Sequence, residues 1–294
     1  MKQIILFSAF IALSASAFTF LAGDSRAATA QEKKLELPQP SPAATLKQKV
    51  GITDVDIEYS RPGVKGRKIF GTLVPYGEVW RTGANSATKV TFSTDVKFGG
   101  QPVPAGTYAL ATIPNQGEWT VILNKATDGW GTYAYDQKND LVRVTAKPIA
   151  LNDAVETMTI GLHDLRDDSA ILAIEWDKVR VPVKIEIDLV AMLMPQIKVA
   201  MAAEGKKPYL QAAMFYYEHD LDLKQALAWI EEAIKETPDA PWIVYRKGLV
   251  QMKMGDKAGA LASAQKALEL AEKKGGSVGT EYKRLSEALI ATLK

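Results

Sequence analysis

Cysteine is absent from this 294-residue chain, and histidine occurs only twice. The lack of cysteine excludes disulfide bonds, thiolate zinc sites, iron–sulfur clusters and cysteine nucleophiles. Two histidines also leave almost no scope for a metal site built from several imidazole ligands. We therefore expect the protein to use no metal and no cofactor.

An excess of charge of either sign is also absent, because 36 Lys and Arg stand against 34 Asp and Glu, a formal net charge of +2. A chain so close to neutral has no overall electrostatic attraction to nucleic acid or to an anionic membrane. The sequence thus predicts no nucleic-acid partner. Hydrophobic and charged fractions of 47% and 24% are typical of a globular protein, and the length allows about two domains.

The first 30 residues have the pattern of a secretory signal peptide. Lys2 precedes an uncharged run over residues 3–23, and Ala28-Thr29-Ala30 then supplies the small residues of a cleavage site. This pattern predicts a signal peptide over 1–30, a periplasmic or secreted protein, and no stable membrane span after cleavage. An uncleaved anchor is the alternative, because the uncharged run is long enough to span a bilayer.

The segment 31–45 contains three prolines and is predicted to be an extended linker. From there to residue 188 apolar residues alternate with polar ones, as in Val55, Ile57 and Tyr59. Nine or so such segments, separated by Gly, Pro and Asn turns, predict an antiparallel β-sandwich or jelly-roll-like domain over 46–188. Its last two segments, 171–176 and 179–187, are interpreted as a closing hairpin.

The remainder, 189–294, is rich in alanine and has helical periodicity. Small residues recur at an offset of 34, since Ala226 matches Ala260 and Ala233 matches Ala267. This period predicts tetratricopeptide-like helical hairpins, a helical-repeat module that binds a protein partner; a generic helical bundle is the alternative. The predicted parts are a leading helix, two repeats and a capping helix, over 189–203, 208–241, 242–275 and 277–293.

Residues 61–85, here called the arginine loop, carry the strongest candidate for a binding site. Five cations precede residue 82, against one acid, Glu78, and glycines and prolines interrupt the segment. Guanidinium groups and exposed backbone N–H groups suit carboxylate or phosphate, and aromatic rings can stack on a sugar. A small anion or a glycan is the predicted ligand, and the candidate ligand-binding residues are Arg61, Arg67, Tyr76, Trp80, Arg81 and Asn85. In the alternative interpretation the arginines only brace the loop against carbonyls and acids.

No catalytic residue is predicted. Ser86 lacks the glycines of a nucleophile elbow. An enzyme acting on the envelope or on carbohydrate remains an alternative, with Glu78 or Glu118 working beside the arginines. Trp130 and Tyr133 either flank a pocket or cover the core of the sandwich.

Several short sequences in and just before the arginine loop also resemble a known family. The most specific are Tyr59-Ser60-Arg61-Pro62, Leu73-Val74-Pro75-Tyr76-Gly77 and Trp80-Arg81-Thr82-Gly83-Ala84-Asn85. They resemble the domain of unknown function 2911 family, over about 41–188. The resemblance implies an exported bacterial protein with a β-rich domain and no established activity, so it supplies no catalytic residues. With the helical tail, we expect a non-catalytic binding protein of the bacterial cell envelope.

Overall fold

The computed structural model describes residues 37–133 and 135–294. The predicted signal peptide lies outside these residues, as do residues 31–36 of the predicted linker. Residues from Pro40 to Lys294 form one compact unit. In the part of the chain that the structure describes, no helix is both long enough and apolar enough to cross a membrane.

Two antiparallel sheets make up the N-terminal part. The ten strands are β1 (Ala43–Val50), β2 (Thr53–Ser60), β3 (Thr88–Phe92), β4 (Val96–Phe98), β5 (Gln101–Val103), β6 (Gly106–Ile113), β7 (Trp119–Asn124), β8 (Asp140–Ala146), β9 (Ile149–His163) and β10 (Ser169–Glu186). One sheet has the order β1-β2-β3-β6-β7-β8, and the other has the order β5-β4-β10-β9. The first strand begins inside the segment predicted as a linker.

The alternation of side chains explains why these segments form strands with one buried face. In β2, Val55 and Ile57 are buried while Asp54 and Glu58 face solvent. A single hydrophobic cluster combines side chains of both sheets, such as Phe92 and Leu172, and neither sheet closes into a barrel. The prediction of antiparallel sheets with a shared core is therefore confirmed.

The predicted hairpin over 171–187 is wrong, because these residues form one long strand. The register of β10 against β9 shifts on both sides of Asp177, and Asp177 has a φ of 52°. An irregularity of this kind bends a strand without ending it. The sequence Asp177-Lys178 looks like a turn, but here it marks a bulge within β10.

Six helices follow the sheets: α1 (Leu189–Ala202), α2 (Tyr209–Glu218), α3 (Leu223–Glu236), α4 (Pro241–Lys253), α5 (Lys257–Lys274) and α6 (Gly276–Leu293). Their starts agree with the sequence. Asp188, Asp222 and Asp256 accept N-terminal backbone N–H groups of α1, α3 and α5, and Pro241 opens α4. Each helix from α2 to α5 packs on the next.

The helices also contact the sheets. Leu189 belongs to the hydrophobic cluster of the sheets, and Met192 and Phe215 pack against that cluster. His219 Nε2 at the end of α2 lies 3.4 Å from a carboxylate oxygen of Asp167, in the turn between β9 and β10. The β-rich part and the first two helices therefore share contacts.

The alanines that recur at the offset of 34 residues are fully or almost fully buried in the helical part of the chain. A Cβ built on Gly248 in α4 would lie 3.3 Å from the carbonyl oxygen of Ala260 in α5, so these helices are close together. Ala260→Leu should lower the free energy of unfolding by about 1–3 kcal/mol, because the interface has no room for the larger side chain. Urea denaturation measures this loss. Lys257→Leu, at an exposed position one turn earlier, is the control, and equal effects of the two substitutions would contradict close packing at Ala260.

Candidate functional site

The arginine loop is attached to the protein core by apolar and aromatic side chains. Ile69, Phe70 and Val74 are buried in the cluster shared by the sheets. The Phe70 ring lies edge-on to Trp119, with centroids 4.9 Å apart. Trp80 stacks on Trp176 of β10 at 5.8 Å, with 21° between the ring planes. A loop held by this many aromatic contacts presents its polar side chains in fixed positions.

The backbone on both sides of Arg81 is fixed as well. Trp80 exchanges two backbone hydrogen bonds with Thr112, of 2.7 and 2.8 Å. Thr82 is completely buried and has a φ of 54°, a conformation that β-branched residues rarely adopt. Its carbonyl accepts a 2.8 Å hydrogen bond from the Thr88 hydroxyl. Strained backbone of this kind persists only where surrounding contacts enforce it, and it is common at binding sites.

Two of the predicted arginines hold the loop together. Arg61 donates from Nε to the carbonyl oxygen of Met158 at 2.9 Å and from Nη2 to the Thr159 hydroxyl at 2.7 Å, both on β9. Arg67 donates from Nε and Nη2 to carbonyl oxygens within its own loop, at 3.1 and 2.6 Å. For Arg61, these contacts match the interpretation in which an arginine only braces the loop. For Arg67 they match it in part, because Arg67 also lines the cleft described below.

Tyr76 and Asn85 are also placed by the loop's own packing. The amide of Asn85 donates to the carbonyl oxygen of Ser41 and to the Ser60 hydroxyl, at 3.1 and 3.3 Å. Tyr76 is partly exposed, and its ring lies against Gly71, whose φ is 81°. Neither residue lines the cleft described below.

Arg81 is different from the other two arginines. It makes no hydrogen bond and no salt bridge to any other residue that the structure describes, and its Nε is buried without a partner. The Arg81 guanidinium lies over the ring of Trp130, 5.8 Å from Cζ to the ring centroid. Burial lowers the pKa of Arg81 from its ordinary value, but an arginine still keeps its charge. A partly desolvated cation without an acceptor is costly, and an anion would offset that cost.

Arg81 lies at the wall of a cleft, which we call the arginine cleft. Arg67, Trp80, Arg81 and Trp176 line it, together with small and apolar residues, and its volume is about 300 Å³. No acidic residue lines it. The indole N–H of Trp176 is buried and has no acceptor among the described residues. The cleft therefore combines two guanidinium groups and two aromatic side chains, a set that fits a ligand with acceptor oxygens.

A second loop, between β7 and β8, contacts the arginine loop and was not predicted as part of the site. Ser86 and Trp130 form an isolated backbone bridge, and the Gly131 N–H donates to the carbonyl oxygen of Asn85 at 3.1 Å. Trp130 and Tyr133 are 63% and 88% exposed, so they do not cover the core of the sandwich. The feature of the sequence that could have indicated this part of the site is the presence of two aromatic residues, Trp130 and Tyr133, in a loop that contains glycine.

The two carboxylates considered for an enzymatic role lie outside the arginine cleft. Glu78 and Glu118 are both exposed, and neither lines the arginine cleft. Among the residues that the structure describes, no group of three or more acidic or histidine side chains is placed to hold a metal ion. The lining of the cleft thus offers cationic and aromatic contacts rather than a pair of carboxylates.

A protein-family model matches the β-rich part of the chain. Residues 41–185 match DUF2911, a protein family of unknown function. This DUF2911 segment contains the arginine loop, the arginine cleft and the loop of Trp130, and the six helices follow it. The resemblance inferred from the loop sequence is confirmed for this segment. Neither the curated proteins nor the solved structures include a match to the chain.

Proposed function

We propose that the chain is an exported binding protein of the bacterial cell envelope, and that its DUF2911 segment binds a small anion in the arginine cleft. The observation that carries this proposal is Arg81, a partly buried cation with no acceptor among the described residues. Arg67 adds a second cation to the same wall, and no acidic residue lines the arginine cleft.

An anion would satisfy groups that the protein leaves unpaired. A buried donor without an acceptor costs about 1–3 kcal/mol, and more when it is charged. Carboxylate or phosphate oxygens could accept from the Arg81 guanidinium, whose planar fork suits two-point contacts. The stacked pair of Trp80 and Trp176 supplies an apolar wall that excludes water and strengthens such contacts.

We also propose that the helices form tetratricopeptide-like repeats that bind a protein partner. The 34-residue offset supports this, because Ala226 and Ala260 are both completely buried at matching positions. Contacts of α2 with α4, and of α4 with α6, also support it, since stacked repeats bring every second helix together. The export signal predicted over 1–30 is the basis for the envelope location.

Anion binding should raise the melting temperature of the protein, because a ligand that binds only the folded state stabilises it by mass action. At a hundredfold excess over the dissociation constant the gain is about 2.7 kcal/mol. We would measure thermal unfolding with inorganic phosphate, acetate and citrate, each against sodium chloride at the same ionic strength. The shift should shrink as salt is added. If none of the three anions raises the melting temperature above its chloride control, the proposal is wrong.

A further inference from the structure

Three side chains surround Gly131 beside the arginine cleft. A Cβ built on Gly131 would lie 3.1 Å from Nη1 of Arg81 and 3.2 Å from two carbons of the Tyr133 ring. The Arg81 guanidinium also lies over the ring of Trp130. Gly131 has a φ of 72°, so a larger residue would be strained as well as crowded. The guanidinium and the two rings therefore meet at one point on the surface.

The two rings are exposed to a degree that is unusual for such large apolar groups. Trp130 is the most exposed tryptophan of the described chain, and Tyr133 is more exposed still. Exposed apolar patches commonly mark interaction sites. The backbone bonds from Ser86 and Asn85 hold this loop against the arginine loop, so the rings keep their position relative to Arg81.

We propose that Arg81, Trp130 and Tyr133 form a subsite for a carboxylate-bearing saccharide, such as a uronate. The Arg81 guanidinium binds the carboxylate, and the apolar C–H face of the sugar ring lies on the exposed aromatic rings, whose faces carry negative charge density. This inference rests on the proposed anion-binding function of Arg81 and names the class of ligand that it serves.

The space beneath Arg81 favours a saccharide over an aromatic acid. A cavity of about 30 Å³ lies there, and its lining includes Arg81, Asn124, Asp128 and Tyr135. This is room for about one water molecule and not for a ring. On this side of Arg81, where Trp130 and Tyr133 lie, a ligand ring therefore remains at the surface, in contact with solvent. A sugar tolerates that position because its hydroxyl groups stay hydrated, whereas an aromatic acid would leave its apolar ring uncovered.

The size of the patch favours a small ligand over a protein. Each aromatic side chain buries about 150–250 Å² when fully covered, so the two rings supply less than about 500 Å². A stable protein interface buries about 1,200–2,000 Å² in total. One cation between two exposed rings matches the dimensions of a single charged sugar.

Calorimetric titration tests the subsite with three probes: galacturonate trimer, the methyl ester of that trimer, and acetate. We expect the trimer to bind at least roughly tenfold more tightly than either of the other two, which corresponds to about 1.4 kcal/mol. The ester keeps the sugar rings and lacks the charge, and acetate keeps the charge and lacks the rings. In a ¹⁵N NMR spectrum the indole signal that is lost in Trp130→Ala should shift when the trimer is added to the wild type.

The paired substitution Trp130→Ala with Tyr133→Ala separates this inference from the proposed function. It should weaken binding of the trimer about tenfold and leave binding of acetate unchanged. Leu165→Ala, at an exposed apolar residue between β9 and β10, is the matched control and should change neither. The saccharide subsite is wrong if acetate binds and the trimer binds no more tightly than acetate. It is also wrong if the paired substitution has no effect on binding of the trimer. In both cases anion binding at Arg81 stands. If neither probe binds, both proposals fail.

Discussion

Arg81→Met is expected to abolish stabilisation of the protein by anions while leaving the ligand-free protein at least as stable as the wild type. The guanidinium makes no hydrogen bond to a described residue, and its Nε is buried. Methionine fills similar space without placing a charge in a partly desolvated position. At a hundredfold excess of anion the wild type should gain about 2.7 kcal/mol, and the variant should gain nothing. Thermal unfolding with and without phosphate measures both quantities.

Arg61→Met is the matched control for the same loop. It removes two hydrogen bonds to β9 and should cost about 1–3 kcal/mol of stability. Because Arg61 does not line the arginine cleft, this variant should still respond to anions. If Arg81→Met destabilises the protein as much as Arg61→Met does, Arg81 is a structural arginine and the proposed role is wrong.

Phe70→Ala should produce the largest loss of stability, about 3–5 kcal/mol. Phe70 is buried, and its ring contacts Trp80, Trp119 and Trp176 with centroid distances of 4.9 to 6.2 Å. Removing the ring leaves a cavity where the arginine loop meets the core, and it frees Trp80 to move. Urea denaturation measures the loss, and anion binding should weaken in the same variant.

Tyr76→Ala is the control for Phe70→Ala, since Tyr76 is an exposed aromatic residue in the same loop. It should change the free energy of unfolding by less than about 0.5 kcal/mol, as surface substitutions usually do. Equal stabilities of the Phe70→Ala and Tyr76→Ala variants would show that the aromatic cluster does not hold the loop.

Local patterns predicted most of the secondary structure. Alternation in β2 identified its buried face, and the alanine-rich helical periodicity from residue 189 onward identified the helical part of the chain. The sequence pattern wrongly predicted a hairpin turn at Asp177, because a bulge and a tight turn use the same residue types. Pairing of β10 with β9, which extends past that residue, is a long-range contact that the local sequence does not contain.

For the site, the sequence located the loop but not the roles of its residues. Arg61 and Arg81 are equally charged and lie in similar surroundings along the chain. They differ because Arg61 reaches carbonyl and hydroxyl oxygens on β9, while no described residue offers Arg81 an acceptor. The part played by Trp130 also depends on tertiary contact, since backbone contacts with Asn85 and Ser86 bring its loop to Arg81. Composition and spacing cannot predict such pairings.

Anion binding at Arg81 can be followed by the NMR signal of the Arg81 Nε–H group, assigned by its loss in Arg81→Met. We expect this signal to shift saturably as phosphate or acetate is added, while the Nε–H signal of Arg61 stays in place. The shift should be smaller in high salt. An Arg81 signal that does not respond to either anion, in protein whose other signals show it to be folded, would contradict the claim that Arg81 binds an anion.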